Sequence, residues 1–216
     1  MAIALHGDAA YTVELAESPT ERAQVFALRE AEYQVAQPYL LSASGGALHR
    51  AEDVYDDRSF IFACARVGES TALATCRFTV PRRGRFELCD LTDSWTRPSV
   101  PDGTLVETSR VVVRRDERAT GLVEAMLLLA GTWLLRETPL RYNFAVCARP
   151  LERLYARLGM RVTSPEELTL RGRPTDRRYV VIHGDMMTSQ PTVMTRLAAR
   201  GWQLSESAPS RRRAGT

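Results

Sequence analysis

The sequence predicts an α/β fold of three layers, in which helices flank a central mixed sheet, and three stretches carry this prediction. The stretch 105–113 is rich in β-branched residues and mostly apolar in its second half, which is typical of a strand covered on both faces. Further along, 141–148 has the composition of a strand, and 150–159 has apolar residues at helical spacing. The stretches 59–67 and 72–80 form a predicted hairpin.

The central unit continues with an arginine-rich turn, 114–119, and a long apolar helix, Thr120 to Arg136. Thr120 is the predicted N-cap of this helix. A helix N-terminus presents unpaired N–H groups and the positive end of a dipole, Gly121 allows close backbone approach, and Arg118 adds charge. Together they predict a pocket for a pyrophosphate. The alternative is a basic, solvated turn before a core helix.

The other predicted elements complete both halves of the chain. They are a strand at 10–16, a helix at 20–35, a long loop or broken helix at 36–52 that could act as a lid, a short strand at 86–91, a loop at 93–103, a strand at 178–183 and a short helix at 191–199.

Composition predicts an ordinary globular chain of 216 residues, with 44% hydrophobic and 25% charged residues. We expect a single domain over 1–204 and a disordered tail over 205–216. The net charge of +3 is too small to indicate nucleic acid. The four cysteines form no C-x-x-C pair, so no metal site is expected. No segment resembles a signal peptide or a membrane span, so the expected location is cytoplasmic, with no membrane partner.

The spacing Arg118-x-x-Gly121-x-Val123 resembles the phosphate-binding loop, Arg/Gln-x-x-Gly-x-Gly/Ala, of the GCN5-related N-acetyltransferase (GNAT) superfamily. The resemblance implies a GNAT-type three-layer fold whose mixed central sheet is splayed near 111–113. It also implies a donor that carries a phosphopantetheine arm, either an acyl carrier protein or coenzyme A. The residues that it places along the arm and around its phosphate end are Val111, Val112, Val113, Arg118, Ala119, Thr120 and Gly121.

The run Leu154-Tyr155-x-x-Leu158-Gly159-Met160 is similar to the "LYxxLGF" that closes the penultimate helix of GNAT enzymes. In that family the tyrosine often lies near the departing thiol and can protonate it. The resemblance therefore makes Tyr155 a candidate catalytic acid. The alternative is that Tyr155 is a packing residue.

A second set of polar residues resembles the acyl-homoserine lactone synthases, the autoinducer synthases built on a GNAT-like fold, and the related N-acyl amino acid synthases. The matching pieces occur in the same order along the chain. They are Arg22-x-x-x-Phe26, Asp53-Val-Tyr55-Asp56, Arg77 after a glycine hairpin, and Glu107-Thr-Ser109-Arg110. The resemblance implies that Asp53, Asp56, Arg77 and Arg110 bind an amine substrate. The alternative is a structural network that pairs Arg22, Arg77 and Arg110 with Asp53, Asp56 and Glu107.

These features predict an N-acyltransferase that moves an acyl or aminoacyl group from a phosphopantetheine thioester to the amine of a small molecule. No permanently bound cofactor is expected. An acyl or peptidyl carrier protein is the expected partner, because the resemblance to the autoinducer synthases implies one and Val123 replaces a small residue of the loop. Arg114, Arg115 and Arg118 would then face the acidic surface of the carrier protein. The alternatives are an ordinary acetyl-CoA-dependent N-acetyltransferase and a carrier-protein-docking module without catalysis.

Glu107 is the predicted catalytic base, acting through a water. A carboxylate on a mostly apolar strand is costly unless it is paired or used. On a regular strand Arg110 would point to the opposite face, although a bulge would change that. We therefore expect a raised pKa for Glu107, with Glu87 or Asp90 as the alternative base.

Overall fold

The computed structural model describes residues 2–41, 51–163 and 166–205, and the strands within these ranges form one sheet of nine in the order β7-β8-β6-β5-β4-β3-β2-β1-β9. Strands β5 and β6 are parallel, and every other described pair is antiparallel. The strands are β1 (Ala2–His6), β2 (Ala9–Leu15), β3 (Ser59–Arg66), β4 (Ala74–Thr79), β5 (Leu105–Val113), β6 (Tyr142–Ala148), β7 (Arg161–Val162), β8 (Tyr179–Asp185) and β9 (Trp202–Ser205). The helices are α1 (Pro19–Ala36), α2 (Leu88–Leu91), α3 (Leu122–Glu137), α4 (Glu152–Ala156) and α5 (Met186–Ala198), with short 3₁₀ turns at Pro38–Leu41, Asp56–Arg58, Arg115–Glu117 and Arg149–Leu151.

Helices cover both faces of this sheet, and the side chains of each strand alternate between the two faces. On β4, Ala74, Cys76 and Phe78 enter the large core beneath α3 and α5, whereas Arg77 points to the other face. Helix α1 covers that second face, where Val25 packs on Ile61 of β3. The predicted α/β fold with a mixed sheet and flanking helices is therefore confirmed.

The sheet opens between β5 and β6. These two strands pair only from Leu105 opposite Tyr142 to Glu107 opposite Phe144, and then they diverge. Residues 108–113 of β5 consequently have no partner strand on their β6 side, although β4 pairs with them on the other side. The expected splay is confirmed, and it starts nearer to Glu107 than to 111–113.

A bulge in β5 sets which side chains share a face. Thr75 lies opposite Val112 and Arg77 opposite Ser109, so two steps along β4 match three steps along β5. The extra residue is at Arg110, whose φ of 51° is in the left-handed region. Before the bulge the even-numbered Val106 enters the α3 core, and after it the odd-numbered Val111 and Val113 do so. Glu107 and Arg110 therefore do not diverge as they would on a regular strand.

Several predicted elements were wrong or lie outside the described residues. The predicted strand at 86–91 is the short helix α2, and the predicted helix at 191–199 begins earlier, at Met186, with Pro191 inside it. Strands β1, β7 and β9 were not predicted. Most of the proposed lid, 42–50, and the tail beyond Ser205 lie outside the described residues.

Candidate functional site

Two arginines and three carboxylates form a buried ion-pair network on the α1 face of the sheet. Arg77 Nη1 lies 2.6 Å from Asp53 Oδ1 and 3.1 Å from Asp56 Oδ1, and its Nη2 donates to Glu87. Arg110 Nη2 lies 2.6 Å from Asp53 Oδ2 and 3.3 Å from Glu87 Oε1. All five side chains are buried. The structure thus joins the four predicted substrate-binding residues, and it adds Glu87 to them.

Arg29 supplies a third buried guanidinium to this network. Its Nη1 donates to Asp56 Oδ1 at 2.9 Å. Arg22 is instead near the exposed Asp57, at 4.0 Å, so its predicted place in the network was wrong. Arg29-x-x-x-Tyr33 repeats the arginine–aromatic spacing seven residues later, which is two helical turns and therefore the same face. The apolar stripe of α1, namely Val25, Leu28 and Tyr33, has Arg29 within it, and a charge in such a stripe was the overlooked indication.

Glu107 lies beside this network, and its carboxylate forms no salt bridge with an arginine in the described part of the chain. Its carboxylate accepts a hydrogen bond from the backbone N–H of Leu88, the first residue of α2, at 3.1 Å. The side chain is buried, with the residue 3% exposed. Burial, and then the charge of Glu87, raise the pKa of Glu107 to about 8, although Arg77 and the Leu88 amide oppose this. The expected raised pKa is confirmed.

The two alternative bases, Glu87 and Asp90, have lowered pKa values. Burial alone would raise the pKa of Glu87, but the guanidinium groups of Arg77 and Arg110 outweigh it and lower the pKa to about 2. The pKa of Asp90 is also lowered: burial opposes this, but hydrogen bonds from Tyr55 and Arg85 outweigh it. Both groups are ionised and paired at neutral pH, so they are weaker bases than Glu107.

A cavity of about 200 Å³ lies where β5 and β6 diverge. Segments of α1, α2, β5 and β6 form its walls, together with the segment that precedes β8. Arg110 is the one predicted substrate-binding residue among its described lining residues, since Asp53, Asp56 and Arg77 lie behind that wall. The ionisable side chains around the cavity include Glu87, Glu107, Arg110, Tyr155, Arg173 and Arg177.

A second, apolar cavity of about 40 Å³ lies on the α3 and α5 side of the sheet. Leu127, Leu128 and Met186 are among its lining residues. Thr108 and Tyr155 line both cavities, so the two spaces lie against each other at the split in the sheet. A polar space and an apolar space therefore meet beside Tyr155.

Tyr155 lies in the short helix α4 at this junction. Burial raises the pKa of its hydroxyl group, with smaller contributions from Cys147 and Cys76, so the hydroxyl is protonated at neutral pH. A protonated phenol can donate a proton to a departing thiolate. The side chain also packs against the core, as the alternative interpretation expects.

The predicted donor loop, 118–121, is held from behind by the segment around β9. Arg200 Nη2 donates to the carbonyl of Ala119, and Trp202 Nε1 donates to the carbonyl of Thr120, both at 2.9 Å. Gly121, with a φ of 94°, is the N-cap of α3, so the prediction of Thr120 at this position was wrong. A Cβ on Gly121 would lie 3.1 Å from side-chain atoms of Arg200 and Trp202, which would have to shift by a few tenths of an ångström, and the φ of 94° itself favours glycine.

Arg118 projects from the same loop and is about half exposed. Its Nη2 lies 2.6 Å from Glu32 of α1, which joins the loop to the helix that covers the network. The residues 111–113 run along the unpaired side of β5, between this loop and the split. The donor-binding roles of these residues stay predictions.

The described residues contain neither a candidate membrane span nor a candidate metal site. No described helix is long and apolar enough to cross a membrane. Within the same ranges, no group of three or more His, Cys, Asp or Glu side chains has an arrangement that could hold a metal ion.

The split mixed sheet, the strand–loop–helix unit and the cavity between them define a protein with the GNAT-type fold. No family model and no curated protein matches the sequence. Three solved structures illustrate the likeness. BjaI, a CoA-dependent acyl-homoserine lactone synthase solved with SAM and isopentyl-CoA, is 15% identical with a TM-score of 0.63, over 88% of this chain and 90% of BjaI. FeeM, an N-acyl amino acid synthase from uncultured soil microbes, is 11% identical with a TM-score of 0.61, over 86% of this chain and 95% of FeeM. An acyl-CoA N-acyltransferase from Pseudomonas aeruginosa is 16% identical with a TM-score of 0.54, over 82% of this chain and 99% of that enzyme. At these identities the likeness establishes the fold.

Proposed function

We propose that this chain is an amide-forming N-acyltransferase that moves an acyl or aminoacyl group from a phosphopantetheine thioester to the amine of a small molecule. The observation that carries the proposal is Glu107, a buried carboxyl group with a pKa of about 8 on the wall of a polar cavity. A general base works best when its pKa lies near the working pH. The fold is compatible with the same reaction class, since BjaI is a CoA-dependent acyl-homoserine lactone synthase and FeeM is an N-acyl amino acid synthase.

The acid–base work is divided between Glu107 and Tyr155. Glu107 takes a proton from the acceptor ammonium through a water, and the free amine attacks the thioester carbonyl. The tetrahedral intermediate then collapses, the C–S bond breaks, and Tyr155 gives its proton to the departing sulfur. The attacking nitrogen gives its second proton to the Tyr155 oxygen, which restores the phenol and leaves a neutral amide. Backbone amides along 111–113 hold the pantetheine arm, and the loop 118–121 holds its phosphate end through the start of α3.

The ion-pair network has a supporting role in this scheme. Arg110 lines the cavity, and in this proposal it contacts the acceptor. Asp53, Asp56 and Arg77 hold Arg110 and Glu87 in position from behind the wall. The ionised Glu87 in turn raises the pKa of Glu107.

The apolar cavity is the proposed site of the acyl group. It adjoins the cavity of Glu107 at Tyr155, so a thioester carbonyl at the split can place its acyl chain there. A volume of about 40 Å³ suits a short chain. This size favours the second candidate function, an ordinary acetyl-CoA-dependent N-acetyltransferase, over synthases of long acyl amides.

The donor is proposed to be bound to a carrier protein. Val123 occupies a position where a smaller residue would better admit the nucleotide end of coenzyme A. Arg114, Arg115 and Arg118 lie beside it, and the charges of Arg114 and Arg118 are partly offset by Asp116 and Glu32. BjaI is CoA-dependent, so likeness to an autoinducer synthase alone does not favour a carrier protein.

Intact-mass detection of acyl transfer tests the function. The protein is incubated with an amine panel and with matched acetyl, butyryl and hexanoyl donors, on coenzyme A and on carrier protein. We expect amide formation, with the mass of the donor reduced by the acyl group. The matched control is Glu107→Gln, which should bind donor and turn over roughly 10²- to 10⁴-fold more slowly. Binding of carrier protein without transfer to any amine would favour the docking module.

A further inference from the structure

We propose that Trp202 and Arg200 are positioning residues for the donor, because they hold the loop 118–121 in the conformation that receives its phosphate end. The inference rests on the proposed function, since it concerns the same donor loop. Neither residue belongs to the strand–loop–helix unit, and Trp202, the first residue of β9, lies 82 positions after Thr120. The sequence therefore gave no indication of a role for them.

Trp202 fixes the direction of one peptide group in the loop. Its indole Nε1 donates to the carbonyl of Thr120 at 2.9 Å, so that carbonyl points towards β9. A trans peptide holds its C=O and N–H on opposite sides, so the N–H of Gly121 points away from Trp202. An N–H directed at a phosphate attracts it and a carbonyl repels it. A reversed peptide group would therefore remove an attraction and add a repulsion.

The loop needs this support because of its glycine. Gly121 has a φ of 94°, and glycine adopts positive and negative φ about equally. Reversal of the peptide group between Thr120 and Gly121 mainly changes the ψ of Thr120 and the φ of Gly121, so the glycine itself does not prevent it. Trp202 is only 3% exposed, and its ring stacks on that of His6 with the centroids 5.0 Å apart. The hydrogen bond from this fixed indole therefore selects one direction of the peptide group.

Arg200 acts on the same loop through a second carbonyl and through its charge. Its Nη2 donates to the carbonyl of Ala119 at 2.9 Å, and its Nη1 lies 3.1 Å from Oε1 of Glu124 in the first turn of α3. A carboxylate at the start of this helix would repel a bound phosphate, and the arginine offsets that charge. Because one guanidinium makes both contacts, it fixes the loop relative to the helix.

The test uses two probes that differ only in the phosphate, acetyl-phosphopantetheine and acetyl-pantetheine. Their affinities for the full chain are measured by isothermal titration calorimetry, and turnover is measured by intact-mass kinetics with the amine panel. We expect the wild type to bind the phosphorylated probe more tightly. The ratio of the two affinities should fall roughly 3- to 30-fold in Trp202→Phe, which keeps an aromatic ring and loses the N–H. In turnover, the loss should appear in KM for the phosphorylated probe rather than in kcat.

Arg200→Gln and the matched control Arg196→Gln test the second residue. Arg196 lies in the last turn of α5 and is exposed, so its replacement removes the same charge four residues earlier. We expect Arg200→Gln to lower the affinity ratio by a similar factor and Arg196→Gln to leave it at the wild-type value. The effect of Trp202→Phe should persist at high salt, because no charge is removed, whereas part of the effect of Arg200→Gln should be screened.

The outcomes separate the inference from the function on which it rests. Transfer with an unchanged affinity ratio in Trp202→Phe, or with equal losses for both probes, overturns the inference and keeps the acyltransferase. A phosphate preference that depends on Trp202, without transfer to any amine, supports the inference and overturns the acyltransferase. Equal losses in Arg196→Gln and Arg200→Gln would mean nonspecific charge and would overturn the role of Arg200. If urea unfolding shows that Trp202→Phe does not fold, Arg200→Gln at a partly exposed side chain decides the inference by the same ratio.

Discussion

Replacement of Glu107 by glutamine gives the sharpest test of the catalytic scheme. The Leu88 amide donates to this carboxylate at 3.1 Å, and the carbonyl of a glutamine can accept the same hydrogen bond, so the fold should be kept. What the variant loses is an ionisable group with a pKa of about 8. We expect donor binding to be unchanged and kcat to fall roughly 10²- to 10⁴-fold, the range for a lost acid–base group.

The raised pKa also fixes the shape of the pH profile. With a pKa of about 8, about one tenth of Glu107 is ionised at pH 7, so the wild-type rate should rise about tenfold per pH unit below that pH and reach a plateau above pH 8. The assay is initial-rate kinetics with saturating donor between pH 5.5 and pH 9.5. The acceptor amine ionises in the assays of both the wild type and Glu107→Gln. An ionisation that appears only in the wild-type profile therefore belongs to the carboxyl group of Glu107.

Stability provides an independent measurement of the same group. A pKa raised above its unfolded value stabilises the protein fully at low pH, and that contribution is lost as the pH rises from about 4.5 to about 8. Each unit of this shift corresponds to about 1.4 kcal/mol, so the wild type should lose at most about 3 kcal/mol between pH 5 and pH 7 relative to Glu107→Gln. Urea unfolding at both values measures the difference.

Two results would refute this reasoning. A Glu107→Gln variant with intact kcat would show that the acceptor arrives deprotonated or that another group is the base. A variant that unfolds would show that the carboxyl group is structural. Glu87→Gln is the companion variant. In the folded fraction of this variant, the loss of the negative charge at residue 87 should lower the pKa of Glu107 that the pH–rate profile reports.

Four further predictions concern the donor side. Arg118→Ala should weaken donor binding about 3- to 10-fold, more at low salt, because the charge is exposed; unchanged affinity in a titration would make the loop a solvated turn. Matched acyl-CoA and acyl-carrier protein should differ in kcat/KM in favour of the carrier protein, and equal values would contradict the proposed partner. Tyr155→Phe should lower kcat about 10²-fold, and a leaving group with a low thiol pKa should restore the rate if the hydroxyl is the acid. Gly131→Ala places a Cβ 3.4 Å from Met186 Sδ in the apolar cavity, so activity with butyryl and hexanoyl donors should fall more than activity with acetyl donors; equal effects would mean that the acyl chain lies elsewhere.

Much of the fold could be predicted because its determinants are local. The strand 105–113 has the bounds that its β-branched composition indicated. Helix α1 begins at Pro19 after a Ser18 capping box, which is visible as a spacing in the sequence. The segment 86–91 could not be assigned in this way, because a short apolar run suits a strand or a helix equally. The first backbone N–H of this helix, that of Leu88, donates a hydrogen bond to Glu107, which is distant in the sequence.

The sequence indicated most of the residues of the site, but not which of them form ion pairs with each other. The resemblance to the autoinducer synthases implied that Asp53, Asp56, Arg77 and Arg110 belong to one site, and the structure joins them. The choice of Arg22 over Arg29 failed because the motif occurs twice on one helix face, and the apolar stripe distinguishes the two. The other partner, Glu87, lies in a segment assigned to the wrong secondary structure, so nothing local indicated its contacts.

Strands β1 and β9 were missed for a related reason. Both are short, and they complete one edge of the sheet by pairing with each other over Ile3 opposite Ser205 and His6 opposite Trp202. Such pairing joins the two ends of the described chain, so it has no counterpart in local spacing. The sequence indicated the strand–turn–helix unit, but it did not indicate what holds the turn from behind.

The contacts behind the donor loop have a consequence for the order of folding. Ala119 and Thr120 receive their hydrogen bonds from residues 81 and 82 positions further along the chain. Contacts of such long sequence separation form late, because the intervening chain must first be ordered. During synthesis the split sheet and the network around Arg77 can assemble while the donor loop still lacks its support. The loop 118–121, the proposed donor site, therefore gains its support late as the chain grows, and that support comes from residues outside the proposed site.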